Sequence, residues 1–263
     1  MRHGASRSPA AQPLHTAGSA GSLPEPLERL RRALGRAPGR RLLGGRWMFQ
    51  AAVAVTLRER AGRLEVLLIQ RAQRQGDPWS GHMAFPGGRV EPSDPSRQAA
   101  AVRETREEVG LELAPPLAHP LGRLSELLAR GHGRPLPMRI TPFVYGLAAG
   151  AAASSLPMTL DPAEVASAVW VPLDFLADPA QRDTMRWRPP GKRGPVFTLP
   201  CYRYEGHLIW GLTLEMLDEL LHVTHGRPYR RRFRQLRRFY RLVLRGSWRR
   251  AQRARPGGER GHR

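Results

Sequence analysis

Three glutamates crowded onto one face of a predicted helix are the feature that most constrains what this chain can form. Residues 103–111 read Arg-Glu-Thr-Arg-Glu-Glu-Val-Gly-Leu. On a helix, Glu104, Glu107 and Glu108 occupy positions i, i+3 and i+4, so we expect their carboxylates to share one face. Like charges at that spacing repel by a few tenths of a kcal/mol per pair. A hard divalent cation, which prefers carboxylate oxygens, is the simplest group that would offset this repulsion.

The glutamates belong to a helix that the sequence predicts over residues 98–109. Good helix formers fill this range, and Gly110 is expected to end it. Either Ser96 or Asp94 could cap its first turn. The residues expected to face inward, against a sheet, are Ala99, Val102 and Val109.

Apolar runs on either side of this helix predict strands. A β-hairpin is expected over 47–57 and 64–69, followed by a loop over 72–82 that is rich in turn-forming residues. A short strand over 83–86 then meets the Gly87-Gly88 turn. Further strands are expected near 139–147 and 166–171, and leucine spacing predicts helices near 26–36 and 212–223.

The net charge of +21 is confined to the two ends of the chain. Nine arginines face two glutamates in residues 1–46 (net +7), and fifteen face one glutamate in 227–263 (net +14), so the middle is neutral. We therefore predict a basic, largely disordered leader with a short helix over 1–46, a folded domain over 47–226, and an arginine-rich tail over 227–263.

Composition excludes several classes of protein. The single cysteine, Cys201, rules out an internal disulfide framework and a zinc site made only of cysteines. No apolar run approaches the ~18–20 residues of a membrane span. The leader has the composition of an organellar transit peptide, but Pro9, Pro13 and Gly18 interrupt any amphipathic helix there. We expect a cytoplasmic protein.

The stretch from Gly88 to Leu111 resembles the Nudix box. Its matching residues are Gly88, Arg103, Glu104, Glu107, Glu108, Gly110 and Leu111. Asp94 stands where the family usually has glutamate, the gap from Asp94 to Arg103 is one residue longer, and Thr105 replaces an aliphatic residue. These three departures are similar to the branch that hydrolyses coenzyme A and its thioesters.

Two upstream segments resemble the same branch. They are Leu67-Leu68-x-x-Arg71-Ala72 and Gly81-x-x-x-Phe85-Pro86-Gly87-Gly88. Asp77 stands where that branch carries arginine.

The resemblance implies an α/β/α sandwich with a mixed β-sheet that hydrolyses the diphosphate bond of a nucleoside diphosphate derivative with Mg²⁺ or Mn²⁺. Coenzyme A or acyl-CoA is the expected substrate, and ADP-ribose and nucleotide sugars are the rivals. The implied metal ligands are Glu104, Glu107 and Glu108. The implied catalytic residues are Glu107, Glu164 and Arg103, and the general base stays open among Glu107, Glu91 and Glu164. The residues expected to bind substrate are Arg71, Gly87, Gly88 and Arg89.

The arginine-rich tail suggests a different function. Phe233, Leu236, Tyr240 and Val243 recur at helical spacing among arginines, which predicts a basic amphipathic helix. Such a helix fits an acidic lipid surface or RNA, bound without sequence specificity, and a solvated helix is the alternative. The chain would then be mainly a binding module. Nothing in the sequence indicates an oligomeric state.

Overall fold

The computed structural model describes residues 21–42, 48–77, 79–129, 138–150, 157–188 and 196–224. Its helices are α1 (Glu25–Arg36), α2 (Arg97–Val109), α3 (Leu173–Ala177) and α4 (Gly211–Thr224). Its strands are β1 (Phe49–Arg60), β2 (Arg63–Arg71), β3 (Met83–Ala84), β4 (Gly87–Arg89), β5 (Ala118–Arg123), β6 (Leu127–Ala129), β7 (Met138–Leu147), β8 (Val165–Pro172), β9 (Asp183–Trp187), β10 (Phe197–Tyr204) and β11 (His207–Trp210). Within these ranges, none of the helices is long and apolar enough to span a bilayer. The tail predicted over 227–263 and most of the predicted leader lie outside them.

The larger of the two sheets is mixed. Its main path is β3-β2-β1-β7-β5, with β4 paired to β1, β6 paired to β7, and β8 paired to β2. Strands β1 and β7 run parallel, in a register from Phe49 opposite Met138 to Leu57 opposite Gly146. The other pairs of this sheet are antiparallel. Strands β9, β10 and β11 form a second, antiparallel sheet.

The larger sheet has a hydrophobic core on each face. Because successive side chains of a strand point to opposite faces, β2 contributes to both cores. Leu67 and Ile69 pack in the core that includes the buried alanines of α2, whereas Val66 and Leu68 pack in the core that includes leucines of α1 and α4. Helices therefore cover both faces, and the α/β/α sandwich with a mixed sheet is confirmed.

The ends of α2 are fixed by local chemistry. The Ser96 hydroxyl accepts a hydrogen bond from the Ala99 amide at 3.0 Å, so Ser96 rather than Asp94 is the N-cap. Gly110 ends the helix in the left-handed conformation, with a φ of 70°. The predicted inward face is confirmed at Val109, which is buried, and at Val102, which packs against the same core, whereas Ala99 is only half-buried. The buried residues of α2 are Ala100, Ala101, Thr105, Glu108 and Val109.

The short helix predicted near residues 26–36 is confirmed as α1. Its three leucines, Leu27, Leu30 and Leu34, are buried against the sheet. A Cβ atom added to Gly122 of β5 would lie 2.8 Å from the Leu34 Cβ, so α1 approaches this strand closely. The domain boundaries at 46 and 226 stay predictions.

Candidate active site

Three carboxylates meet where α2 crosses the larger sheet. Glu104 and Glu108 come from α2, and Glu164 comes from the turn before β8. One carboxylate oxygen from each residue lies within 4.8 Å of the other two. The Ala72 amide donates to the Glu164 carbonyl at 2.8 Å, which fixes this turn beside the end of β2. Glu104, Glu108 and Glu164 are called the acidic group below.

Glu108 is the most deeply buried member of the acidic group, with 2% of its surface exposed. Its Oε2 accepts a hydrogen bond from the Gly87 amide at 2.8 Å. Burial raises the pKa of Glu108 to about 8, and the charges of Glu104 and Glu164 add to this, while the Gly87 amide and Arg71 oppose it. A buried carboxylate with two acidic neighbours is stabilised by a cation, so this donor set fits a hard divalent ion.

Gly87 and Gly88, predicted as a turn, instead begin strand β4, and the two glycines are needed there for different reasons. Gly87 has a φ of +144°, and a Cβ atom there would lie 2.3 Å from the Ala52 carbonyl oxygen. Gly88 pairs with Ala52 in β4, and its Cβ atom would lie 2.5 Å from the Glu104 Oε1. Gly87 therefore permits the close approach of β4 to β1, and Gly88 leaves room for the Glu104 carboxylate.

Arg103 links four groups around the acidic group. Its Nε and Nη2 donate to the two oxygens of Asp94 at 3.0 and 3.1 Å. Its Nη2 also donates to Glu104 at 3.1 Å and to the Arg89 carbonyl at 3.2 Å, and its Nη1 donates to Glu107 at 2.8 Å. The paired hydrogen bonds from Arg103 lower the pKa of Asp94. Arg103 therefore orients Glu104.

Glu107 lies apart from the acidic group. Its carboxylate is held by Arg103, and its side chain is 51% exposed. A helix turns by about 100° per residue, so when Glu108 faces the sheet, its neighbour Glu107 is directed away from it. The structure thus separates Glu107 from the two glutamates with which it was grouped, and Glu164 lies in its place. A metal-binding or catalytic role for Glu107 stays a prediction.

The predicted substrate residues lie in different surroundings. Arg71, the last residue of β2, is close enough to Glu108 to lower its pKa, and its Nη2 donates to Asp77 at 2.7 Å. The Arg89 guanidinium instead stacks over the Phe49 ring at 4.9 Å. Glu91 is exposed in the turn between β4 and α2.

Sequence reasoning missed two charged partners. Arg74 donates to Glu164 at 3.2 Å, and Asp77 holds Arg71. Both partners lie in the loop after β2. No spacing in the sequence indicates either pair.

Comparison with known proteins agrees with this geometry. Residues 48–188, more than half of the chain, match the family model of the NUDIX domain. The chain belongs to the Nudix family. The matched range includes the acidic group, Arg103, Gly87 and Gly88.

Three relatives of this Nudix protein differ in how much of their length is matched. An uncharacterized protein of Schizosaccharomyces pombe is 41% identical over 116 residues, which are 43% of this chain and 33% of that protein. The uncharacterized Nudix hydrolase NudL of Photorhabdus laumondii is 32% identical over 154 residues, 59% of this chain and 74% of that protein. The mitochondrial Nudix hydrolase 15 of Arabidopsis thaliana is 30% identical over 186 residues, 68% of this chain and 60% of that protein. The chain thus spans less than two thirds of two of these relatives.

Proposed function

We propose that this Nudix protein hydrolyses the diphosphate bond of a nucleoside diphosphate derivative, with Mg²⁺ or Mn²⁺ held by Glu104, Glu108 and Glu164. The observation that carries the proposal is the acidic group itself, with three carboxylate oxygens within 4.8 Å and Glu108 buried among them. Hard divalent cations prefer oxygen ligands of this kind. A divalent ion bound there supplies neutralisation of the diphosphate charge and a more acidic water.

The surrounding residues have separate tasks in this proposal. Arg103 fixes the Glu104 carboxylate, and the Gly87 amide fixes that of Glu108. Arg71 supplies positive charge for a phosphate group at the edge of the acidic group. We assign the general base to Glu164, whose carboxylate takes the proton of the attacking water, because Glu164 lies in the acidic group while Glu107 lies outside it and is held by Arg103.

Coenzyme A or an acyl-CoA is the substrate that we propose. Support comes from the two upstream segments that resemble the coenzyme A branch, because their residues contact the same site as α2. The charge of Arg71 lowers the pKa of Glu108, and the Gly87 amide donates a hydrogen bond to the Glu108 carboxylate. Thr105 is also accommodated, because its hydroxyl donates to the Ala101 carbonyl at 2.7 Å inside the helix. A residue that is usually aliphatic is therefore replaced here without leaving a buried hydroxyl unsatisfied.

A panel of diphosphates tests both the proposed reaction and the proposed substrate. Coenzyme A, acetyl-CoA, ADP-ribose and a UDP-sugar are incubated with the full chain and Mg²⁺ or Mn²⁺, and the released phosphate monoesters are separated by chromatography. We expect kcat/KM for a coenzyme A compound to exceed the others by at least about 10-fold, which corresponds to ~1.4 kcal/mol. A preference for ADP-ribose would refute coenzyme A as the substrate but would leave the proposed diphosphate hydrolysis unchanged. Cleavage that persists unchanged in Glu108→Gln would contradict the assignment of the active site.

A further inference from the structure

Arg71 has an unused hydrogen-bond donor beside the acidic group. Its Nη2 donates to Asp77, but its Nε is buried and has no hydrogen-bond partner within the described ranges. Buried polar atoms are nearly always satisfied, so this N–H needs an acceptor that the described residues do not supply. A phosphate oxygen is the natural acceptor for a guanidinium, which presents several donors in a fixed plane.

Asp77 holds the Arg71 guanidinium from the loop after β2. Its Oδ2 accepts from Arg71 at 2.7 Å, and its Oδ1 accepts the Trp79 amide at 2.9 Å. The two side chains are only 26% and 15% exposed, so the pair is less screened than a surface ion pair. Burial alone would raise the pKa of Asp77, but Arg71 and the Trp79 amide outweigh burial and the pKa is lowered.

Backbone contacts fix this pair relative to the acidic group. The Arg71 amide donates to the His82 carbonyl at 3.0 Å, and the Gly81 amide donates to the Arg71 carbonyl at 3.2 Å, so the loop closes on Arg71. On the other side of β2, the pairing with β8 shifts between Gln70 and Arg71, next to the turn that carries Glu164. Arg71 therefore lies between the loop and the acidic group.

We propose that Asp77 is a positioning residue that holds the Arg71 guanidinium so that it can donate to a phosphate oxygen of the diphosphate. The inference rests on the proposed diphosphatase function and adds a residue that this function did not include. Asp77 binds the Nη2 and thereby fixes the plane of the guanidinium. Asp77, which stands where the coenzyme A branch carries arginine, therefore affects substrate binding through Arg71.

A double-mutant cycle separates positioning from a general effect on folding. The variants are Asp77→Ala, Arg71→Ala and the double variant, and the probe is inorganic pyrophosphate with Mn²⁺, whose Kd is measured by calorimetry on the full chain. We expect each single variant to weaken binding by about 10-fold or more, and the double variant to bind no more weakly than Arg71→Ala alone. With the preferred substrate of the panel, Asp77→Ala should raise KM and leave kcat within threefold.

Two further variants keep the test decisive. Asp77→Asn keeps only one of the two oxygens that accept from the Trp79 amide and from Arg71, and it loses the charge, so it should restore pyrophosphate binding only in part. Asp174→Ala breaks an exposed pair in which Arg63 donates at 3.0 Å, and it should change nothing. If Asp77→Ala still weakens binding in the Arg71→Ala background, or has no effect when Arg71 is present, Asp77 does not act through Arg71.

The outcomes also distinguish this inference from the proposed function. Pyrophosphate binding can be measured without turnover. If the effects of Asp77→Ala and Arg71→Ala on binding are non-additive but the protein cleaves no diphosphate, the proposed function is refuted and the role of Asp77 stands. Turnover that is lost in Glu108→Gln, together with an additive cycle, would keep the function and refute the role of Asp77.

Discussion

A single methyl group at Gly88 should disable the active site while leaving the fold intact. The Cβ atom of Gly88→Ala would lie 2.5 Å from the Glu104 Oε1, 2.6 Å from its carboxyl carbon and 2.7 Å from its Oε2. Ordinary contact begins at 3.4 Å, so the carboxylate must retreat by about 0.9 Å. The φ of Gly88 is outside the left-handed range, so the backbone itself accepts alanine.

The size of the effect follows from this displacement. A misplacement of about 1 Å in an active site can cost about 100-fold in rate. We therefore expect Gly88→Ala to lower kcat by about 100-fold and to weaken Mn²⁺ binding, with a melting temperature close to that of the natural chain. The assays are steady-state turnover of the best substrate, Mn²⁺ titration and thermal denaturation followed by circular dichroism.

The matched control is Gly35→Ala in α1, where an added Cβ meets nothing within 4 Å. It should leave turnover unchanged and stabilise the helix by roughly 0.5–1 kcal/mol. Gly88→Ala protein that binds Mn²⁺ and turns over as the natural chain does would refute the reasoning. A large fall in melting temperature would place the effect in the fold instead.

Further substitutions test the other members of the site. Arg103→Lys loses the paired hydrogen bonds to Asp94, so Mn²⁺ affinity should fall by about 10-fold, and an unchanged titration would contradict this role. Glu164→Gln should lower kcat by at least about 100-fold and Glu107→Gln by less than threefold, and the reverse order would assign the base to Glu107. In EDTA, the free energy of unfolding should decrease by up to about 5 kcal/mol as the pH rises from 4.5 to about 8, because unfolded Glu108 ionises before folded Glu108 does. Denaturant titrations of Glu108→Gln should lack this decrease, and Mn²⁺ should reduce it in the natural chain.

Local signals made much of the fold predictable. Helix α2 was expected over 98–109 and runs over Arg97–Val109, because Ser96 and Gly110 mark its ends in the sequence itself. Leucine spacing likewise located α1 and α4 to within about one residue at each end. In each case the information lies within one or two helical turns of the residues concerned.

Some strands that depend on distant partners were not predicted, although β7 and β8 were. Strand β5 contains Pro120 and Gly122, whose composition indicates a turn, and pairing with β7 holds it extended in spite of an irregular register. The sheet of β9, β10 and β11 was also missed. Strand β9 is exposed at three of its five residues, so it lacks the apolar run on which the prediction of a strand depends.

The active-site residues were likewise predictable only where they lie close together in the sequence. Glu104, Glu108 and Arg103 share one helix, and their spacing showed that they could act together. Glu164 was named only as a candidate, since it follows Glu104 by 60 positions and reaches the acidic group only through the pairing of β8 with β2. The exposure of Glu107 depends on which face of α2 the sheet covers, which the glutamate pattern alone does not specify.

Mn²⁺ binding is the measurement that tests the central claim most directly. The natural chain, Glu108→Gln and Glu104→Gln are titrated with Mn²⁺ in the absence of substrate, and bound ion is followed by electron paramagnetic resonance. Glu112→Gln is the control, because Glu112 is exposed just beyond the end of α2. We predict that each acidic-group variant weakens Mn²⁺ binding by at least about 10-fold and that the control binds as the natural chain does. Glu108→Gln protein that binds Mn²⁺ with unchanged affinity would contradict the claim that the acidic group holds the metal.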